Sequence, residues 1–189
     1  MKETFLITTG AYFHDLPGGA DRLAYDLAIG LTERGHKVTL LCQNVVGKGS
    51  DYRIIEGVDL IRYAVNRKGV MRLATNLEHF KQIEDSLRRH ITAVDIVHGH
   101  VPIQYLASIK SFEKLPAKIV YSVHSPAIME MEIVWRNQGL LGNAKRFLGM
   151  QILRRIEREC LRRSVDITCE SRFTKGHIGR LYGEEIAEK

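Results

Sequence analysis

The sequence predicts an α/β fold with a doubly wound, mainly parallel, Rossmann-like sheet, on three observations. Short runs rich in β-branched residues alternate with amphipathic helical stretches along the whole chain. Several of these runs are apolar at every position, as strands buried on both faces are. The first 42 residues alone read strand, loop, helix, strand, which is one βαβ unit.

Residues 3–9 form the first predicted strand, and a turn-rich loop over 10–19 separates it from a helix beginning near Ala20. Leu23, Leu27 and Leu31 recur every four residues there, which predicts the stripe that packs on the sheet. Gly35 is the expected stop, and residues 37–42 are a fully apolar second strand. An extended stretch near 58–65, a helix over 71–90 and a strand over 95–98 continue the rhythm. A helix over 103–112, a strand over 118–123, a basic helix, a strand over 166–169 and a helix over 174–182 complete it. No repeat, low-complexity linker or internal boundary interrupts the series, so residues 1–189 read as a single domain.

Composition bounds the function classes. The chain has 189 residues, 44% hydrophobic and 26% charged, enough to bury a core. No stretch approaches the roughly 18–20 apolar residues of a spanning helix. The N-terminus alternates like a strand and lacks a signal-peptide pattern, so the expected location is the cytoplasm. Cys42, Cys160 and Cys169 have no CxxC spacing, which predicts neither a disulfide framework nor a zinc site, and two of them sit in apolar runs as small hydrophobes. The net charge of +6 is concentrated: residues 143–164 hold Lys145, Arg146, Arg154, Arg155, Arg158, Arg162 and Arg163 against Glu157 and Glu159, a local +5.

In doubly wound sheets ligands bind beyond the carboxyl ends of the strands, which singles out residues 10–19, 98–100, 124–126 and 170–172. The first loop ends in Gly18 and Gly19 at a helix N-terminus, where bare N–H groups and the helix dipole favour an anion. The same pair could equally serve only to make the turn. It is neither GxGxxG nor GxxxxGK[ST]. His98 and His100 have HxH spacing, but with one imidazole expected on each side of an extended segment no shared metal ion is predicted. His124, at the end of the most apolar strand of the second half, is a candidate hydrogen-bond donor or general acid, or else a capping residue.

Helical projection of the basic segment puts Arg154, Arg155, Arg158 and Arg162 on one side, with Gly149, Ile152, Leu153, Ile156 and Cys160 on the other. The cationic side is either a solvated face or a contact for anionic lipid headgroups or a phosphorylated acceptor. Nucleic acid is disfavoured because no aromatic residues interleave with the arginines.

Taken in order, Pro17-Gly18-Gly19-Ala20-Asp21-Arg22, the helix that ends Arg34-Gly35-His36-Lys37-Val38, then Asp95-Ile96-Val97-His98-Gly99-His100, Tyr121-Ser122-Val123-His124 and Asp166 through Ser171-Arg172-Phe173-Thr174-Lys175 resemble the N-terminal half of a group 1, family 4-like glycosyltransferase of GT-B fold. The resemblance spans nearly the whole chain. It departs mildly at Asp21, where Glu is usual, and Arg172 falls at a variable position.

The resemblance implies transfer of a sugar, with retention of configuration, from a nucleotide-diphosphate sugar to an acceptor such as a lipid or polysaccharide precursor. On matching positions, Gly18 and Gly19 would approach the donor phosphates, His124 would lie beside the transferred sugar, and Tyr12, Arg22, His100 and Ser171 would line the acceptor cleft. No cofactor and no catalytic metal are expected. The donor-binding C-terminal half would be absent, since residues 182–185 resemble the start of the interdomain linker. The isolated chain is therefore expected to be inactive, its partner being that missing half, with peripheral contact to the inner face of a membrane through the basic helix. The competing expectation is a free-standing nucleotide- or phosphate-binding module whose whole site is the Gly18-Gly19 loop.

Overall fold

A computed structural model describes residues 2–47, 49–65, 72–114, 116–134 and 140–189, with the side chains of 72–76, 134 and 140–146 left out. In chain order the described elements are β1 (Thr4–Ala11), α1 (Gly19–Glu33), β2 (Lys37–Gln43), β3 (Asp51–Ile55), β4 (Val58–Tyr63), α2 (Arg72–His90), β5 (Ile96–Gly99), α3 (Pro102–Ser111), β6 (Lys118–Val123), α4 (Ala127–Val134), α5 (Leu140–Arg163), β7 (Asp166–Cys169), α6 (Arg172–Tyr182) and α7 (Glu184–Ala187). The seven strands form one sheet in the order β3-β4-β2-β1-β5-β6-β7. Every pairing is parallel except that of β3 with β4.

Strand alternation divides the core between the two faces of the sheet. Leu6, Leu41, Ile61, Tyr63, Val97, Tyr121 and Val123 face one way, beneath α2, α3, α5 and α6. Phe5, Ile7, Leu40, Cys42 and Leu60 face the other, beneath α1. Because β1 and β2 are covered on both sides, their sequences are apolar at nearly every position. Fully burying each such side chain contributes about 1.5–3 kcal/mol.

Several expectations need correction. In α1 the buried residues are Ala24 and Ala28, whereas Leu23 is 48% exposed. Small side chains bring this helix close to the sheet, and Leu27 and Leu31 only flank the seam. β3, at the edge of the sheet, was also missed: its apolar pair Tyr52 and Ile54 is exposed, so it buries no apolar face. It joins β4 through a two-residue turn at Glu56 (φ 50°) and Gly57 (φ 81°), both in the left-handed conformation that suits tight hairpins. A further helix, α4, follows β6 directly, and the segment read as a linker carries the short helix α7.

A candidate active site at the carboxyl edge of the sheet

β1 and β5 are adjacent, yet the helices that follow them cover opposite faces: α1 packs on one and α3 on the other. This is the switch point of a doubly wound sheet, and it opens a crevice at the carboxyl ends of the two strands. The two connections touch there. The His100 N–H donates to the Thr8 carbonyl at 2.9 Å.

The loop after β1 is fastened at both ends. Asp21, in the first turn of α1, accepts from the Thr9 hydroxyl at 2.5 Å and from the Gly10 and Ala11 N–H groups at 2.9 and 3.1 Å. Midway, Asp15 pairs with Arg62, which is only 3% exposed and also binds both oxygens of Asp51 at 2.8 and 2.5 Å. The Arg62 hydrogen bonds hold the Asp51 carboxyl below its ordinary range. Gly18 is the N-cap of α1 and supplies no side-chain acceptor, so the first-turn N–H groups have no side-chain cap. A Cβ on Gly19 would meet nothing within 4 Å. The structure therefore does not need glycine at position 19 for packing, and the approach to the helix N-terminus is open.

Beyond β5, β6 and β7 lie two files of polar side chains, each member two residues from its counterpart and so on the same face of the sheet. In the inner file His98 Nε2 bonds Ser122 Oγ at 2.8 Å, and Ser122 Oγ bonds Thr168 Oγ1 at 2.6 Å. In the outer file His100 Nδ1 lies 2.8 Å from His124 Nε2, and His124 Nδ1 lies 2.5 Å from Glu170 Oε1. The rings stack in sequence, with centroids 4.8 Å apart for His98 and His100 and 5.1 Å for His100 and His124. His98 and His100 thus share one side, contrary to expectation: positions i and i+2 of an extended segment point the same way. No group of three or more metal-ligating side chains is arranged to hold an ion among the described residues.

Burial lowers the pKa of His98 to about 4 and of His100 to about 3, with the neighbouring imidazoles adding to the shift. Both rings are neutral at pH 7. His124 is 14% exposed and Glu170 half exposed, so the outer file runs from a buried imidazole to a carboxylate in water. Gly99, between the two histidines, lies under the Tyr105 ring. A Cβ there would sit 2.2 Å from Tyr105 Cγ, so the backbone must be bare for the strand to pass.

Of the residues expected at the site, the structure brings His100 and His124 together and leaves Gly18 and Gly19 open at the crevice. Ser171 is the N-cap of α6, accepting from Thr174 N at 3.1 Å. Arg22 pairs with Asp26 at 2.8 Å and lies over Phe13 at 4.9 Å. Tyr12 is not an exposed lining residue but a core one, packed on Tyr25 and His14. Sequence reasoning reached the segment containing Glu170 without singling it out, and it took Asp21 only as a departure from Glu. The signal for Glu170 was a carboxylate adjoining a strand end, and that for Asp21 an acidic residue in the first turn of a helix.

The basic helix also divides differently. Arg154 is not a free cation: Nη2 donates to the Leu181 carbonyl at 3.1 Å, and Nε is out of solvent without a partner. Arg162 pairs with Glu159 at 3.3 Å. Arg155 and Arg158 are exposed and, with Gln151 and Arg154, line a groove of ≈ 180 Å³. Lys145 and Arg146 lie among the residues whose side chains are not described.

A mainly parallel, doubly wound sheet with its switch point between β1 and β5 makes this a Rossmann-like domain. A family model described as Glycosyltransferase Family 4 matches residues 17–188, and the chain belongs to that family as a glycosyltransferase domain. Among solved structures it is similar to sucrose-phosphate synthase from Thermosynechococcus elongatus, with a TM-score of 0.71 and 9% identity over 97% of this chain. At that identity the likeness is one of fold. The chain spans 46% of the length of that structure. No curated protein sequence matches it significantly.

Proposed function

We propose that the chain is the acceptor-side half of a retaining glycosyltransferase that moves a hexosyl group from a nucleotide-diphosphate sugar to an acceptor and works with a second, donor-binding half. The observation that carries this reading is that the uncapped N-terminus of α1 and the His100–His124–Glu170 file lie along the same carboxyl edge of the sheet, joined where His100 N–H donates to the Thr8 carbonyl. Bare N–H groups and the dipole suit a diphosphate, and an imidazole beside them suits a sugar hydroxyl. In this reading Gly18 and Gly19 let the phosphates approach, His124 faces the transferred sugar, and His100, Arg22 and Ser171 lie toward the acceptor. No metal or cofactor takes part. The two stacked neutral imidazoles behind His124 keep the adjoining wall of the crevice uncharged.

Gly19→Val tests the reading selectively. Its side chain enters open space, so thermal stability is expected to stay within about 0.5 kcal/mol. Sugar transfer by a two-domain product that joins the chain to a donor-binding half should nevertheless fall at least tenfold. Unchanged transfer would remove the Gly18-Gly19 loop from the site.

The finer proposal of peripheral contact with an anionic membrane now rests on Arg155 and Arg158. Phe147 and Leu148, 67% and 46% exposed, add apolar contact one turn before the groove. No helix of the described residues is long and apolar enough to cross a membrane.

A further inference from the structure

Two imidazoles and a carboxylate in hydrogen-bonded sequence, His100, His124 and Glu170, cannot choose their protons independently. Glu170, exposed to water at one end of the file, offers an acceptor to His124 Nδ1 at 2.5 Å. A carboxylate accepts, so Nδ1 of His124 carries the proton and the neutral ring has a bare lone pair on Nε2. That lone pair needs a donor, and His100 Nδ1 at 2.8 Å is the group that faces it. His100 then keeps its own proton on Nδ1, and its Nε2, buried and without a hydrogen-bond partner, is a bare acceptor. An unprotonated imidazole nitrogen tolerates this isolation better than a buried N–H would.

We propose that Glu170 is a positioning residue: it fixes His124 as the Nδ1–H tautomer, so that His124 presents an unprotonated Nε2, occupied in the free protein by His100 Nδ1–H; a hydroxyl of the transferred sugar inserts there, donating to Nε2 and accepting from His100 Nδ1–H. The sugar in this statement rests on the glycosyltransferase reading; the tautomer does not. His100 holds the place of the ligand hydroxyl, donating to the same lone pair until the ligand arrives. Two observations support this division of roles. The inner file places His98 against Ser122 rather than against a charge, so Glu170 is the carboxylate bonded to the stacked rings. Burial also keeps His98 and His100 neutral, so neither competes as an imidazolium donor.

The test is imidazole ¹⁵N–¹³C correlation NMR of the 189-residue chain near pH 7.5, with no nucleotide sugar present. The expected spectrum gives His124 a protonated Nδ1 and an unprotonated, pyridine-type Nε2. In Glu170→Gln the side-chain carbonyl can still accept from Nδ1, whereas Glu170→Lys offers Nδ1 only donors, so in Glu170→Lys the proton should move to Nε2. Glu170→Asp, which keeps the carboxylate, should restore the original pattern. Glu170 is half exposed, so the amide fingerprint of the core should be unchanged in these variants. His100→Ala provides an independent check, and there His124 should remain Nδ1–H. A protonated Nε2 in the wild type, an unchanged tautomer in Glu170→Lys, or a tautomer that follows His100 instead would overturn the proposal. Failure of the tautomer leaves the transferase reading intact, and absence of sugar transfer leaves the tautomer intact.

Discussion

His98 and His100 illustrate how one structural position fixes a titration. Both are neutral in the fold to about pH 4 and about pH 3, whereas in the unfolded chain an imidazole takes a proton near pH 6.5. Between those limits the unfolded state binds more protons. Stability is therefore complete above about pH 6.5 and is lost as pH falls toward 4 and then 3. Each histidine should steepen the loss by up to about 1.4 kcal/mol per pH unit. Urea unfolding at stepped pH values checks this, and His98→Gln should give a shallower acid limb. Arg62 supplies a second prediction at this scale. Its removal leaves Asp15 and Asp51 without their buried partner, so Arg62→Ala should cost about 3–5 kcal/mol in denaturant unfolding and loosen the loop after β1. Gly99→Ala should destabilise by at least about 1–3 kcal/mol, because Tyr105 stacks on Tyr121 at 4.9 Å and cannot withdraw without opening that pair. The histidines and glycines at strand ends were legible in the sequence. Their geometry was not: Gly99 is defined by a ring six residues away, and Arg62 by two carboxylates from other segments.

At the scale of elements, legibility followed the number of covered faces. β1, β2, β5 and β6 announced themselves because they pair in parallel and carry buried core residues, and β7, an edge strand, was legible although Ile167 and Cys169 are only partly buried. The edge strand β3 carries no core side chain and was missed, and α4 was missed because tertiary contacts position it. Its N-terminus is held by Glu157 of α5, which accepts from Ala127 N at 2.8 Å and from the Tyr182 hydroxyl. Helical projection assigned the packing side of α5 to apolar residues alone, yet Glu157 is fully buried. Burial raises its pKa, so its folded form favours the proton and its stabilising contribution, present at acid pH, is lost as pH rises through the raised value. Glu157→Gln keeps both hydrogen bonds if the Tyr182 hydroxyl turns to accept. It should be near neutral or stabilising at pH 7.5, and the wild type should gain on it as pH falls. On the outer side of α5, Arg155→Glu with Arg158→Glu should abolish co-sedimentation with anionic vesicles, whereas neutral vesicles should not bind in either case. Binding that survives the double substitution would return these arginines to a solvated face.

At the scale of the whole molecule the chain is one seven-stranded sheet with helices on both faces. Its strand order, its switch point and its match over residues 17–188 make it a glycosyltransferase domain, and it spans 46% of the sucrose-phosphate synthase structure it resembles. The ordered set of short motifs carried this reading from the sequence, because each motif ends a strand at one edge of the sheet. The relation of His100, His124 and Glu170 could emerge only when β5, β6 and β7 were laid side by side, since 24 and 46 residues separate its bonded pairs. The measurement that bears most directly on the central claim is sugar transfer from a panel of nucleotide-diphosphate sugars, run in parallel on the 189-residue chain and on a two-domain product that joins it to a donor-binding half. The account predicts no transfer by the chain alone and transfer by the whole product, reduced at least about 100-fold by His124→Ala. Turnover by the isolated chain, or undiminished turnover by the His124→Ala product, would contradict it.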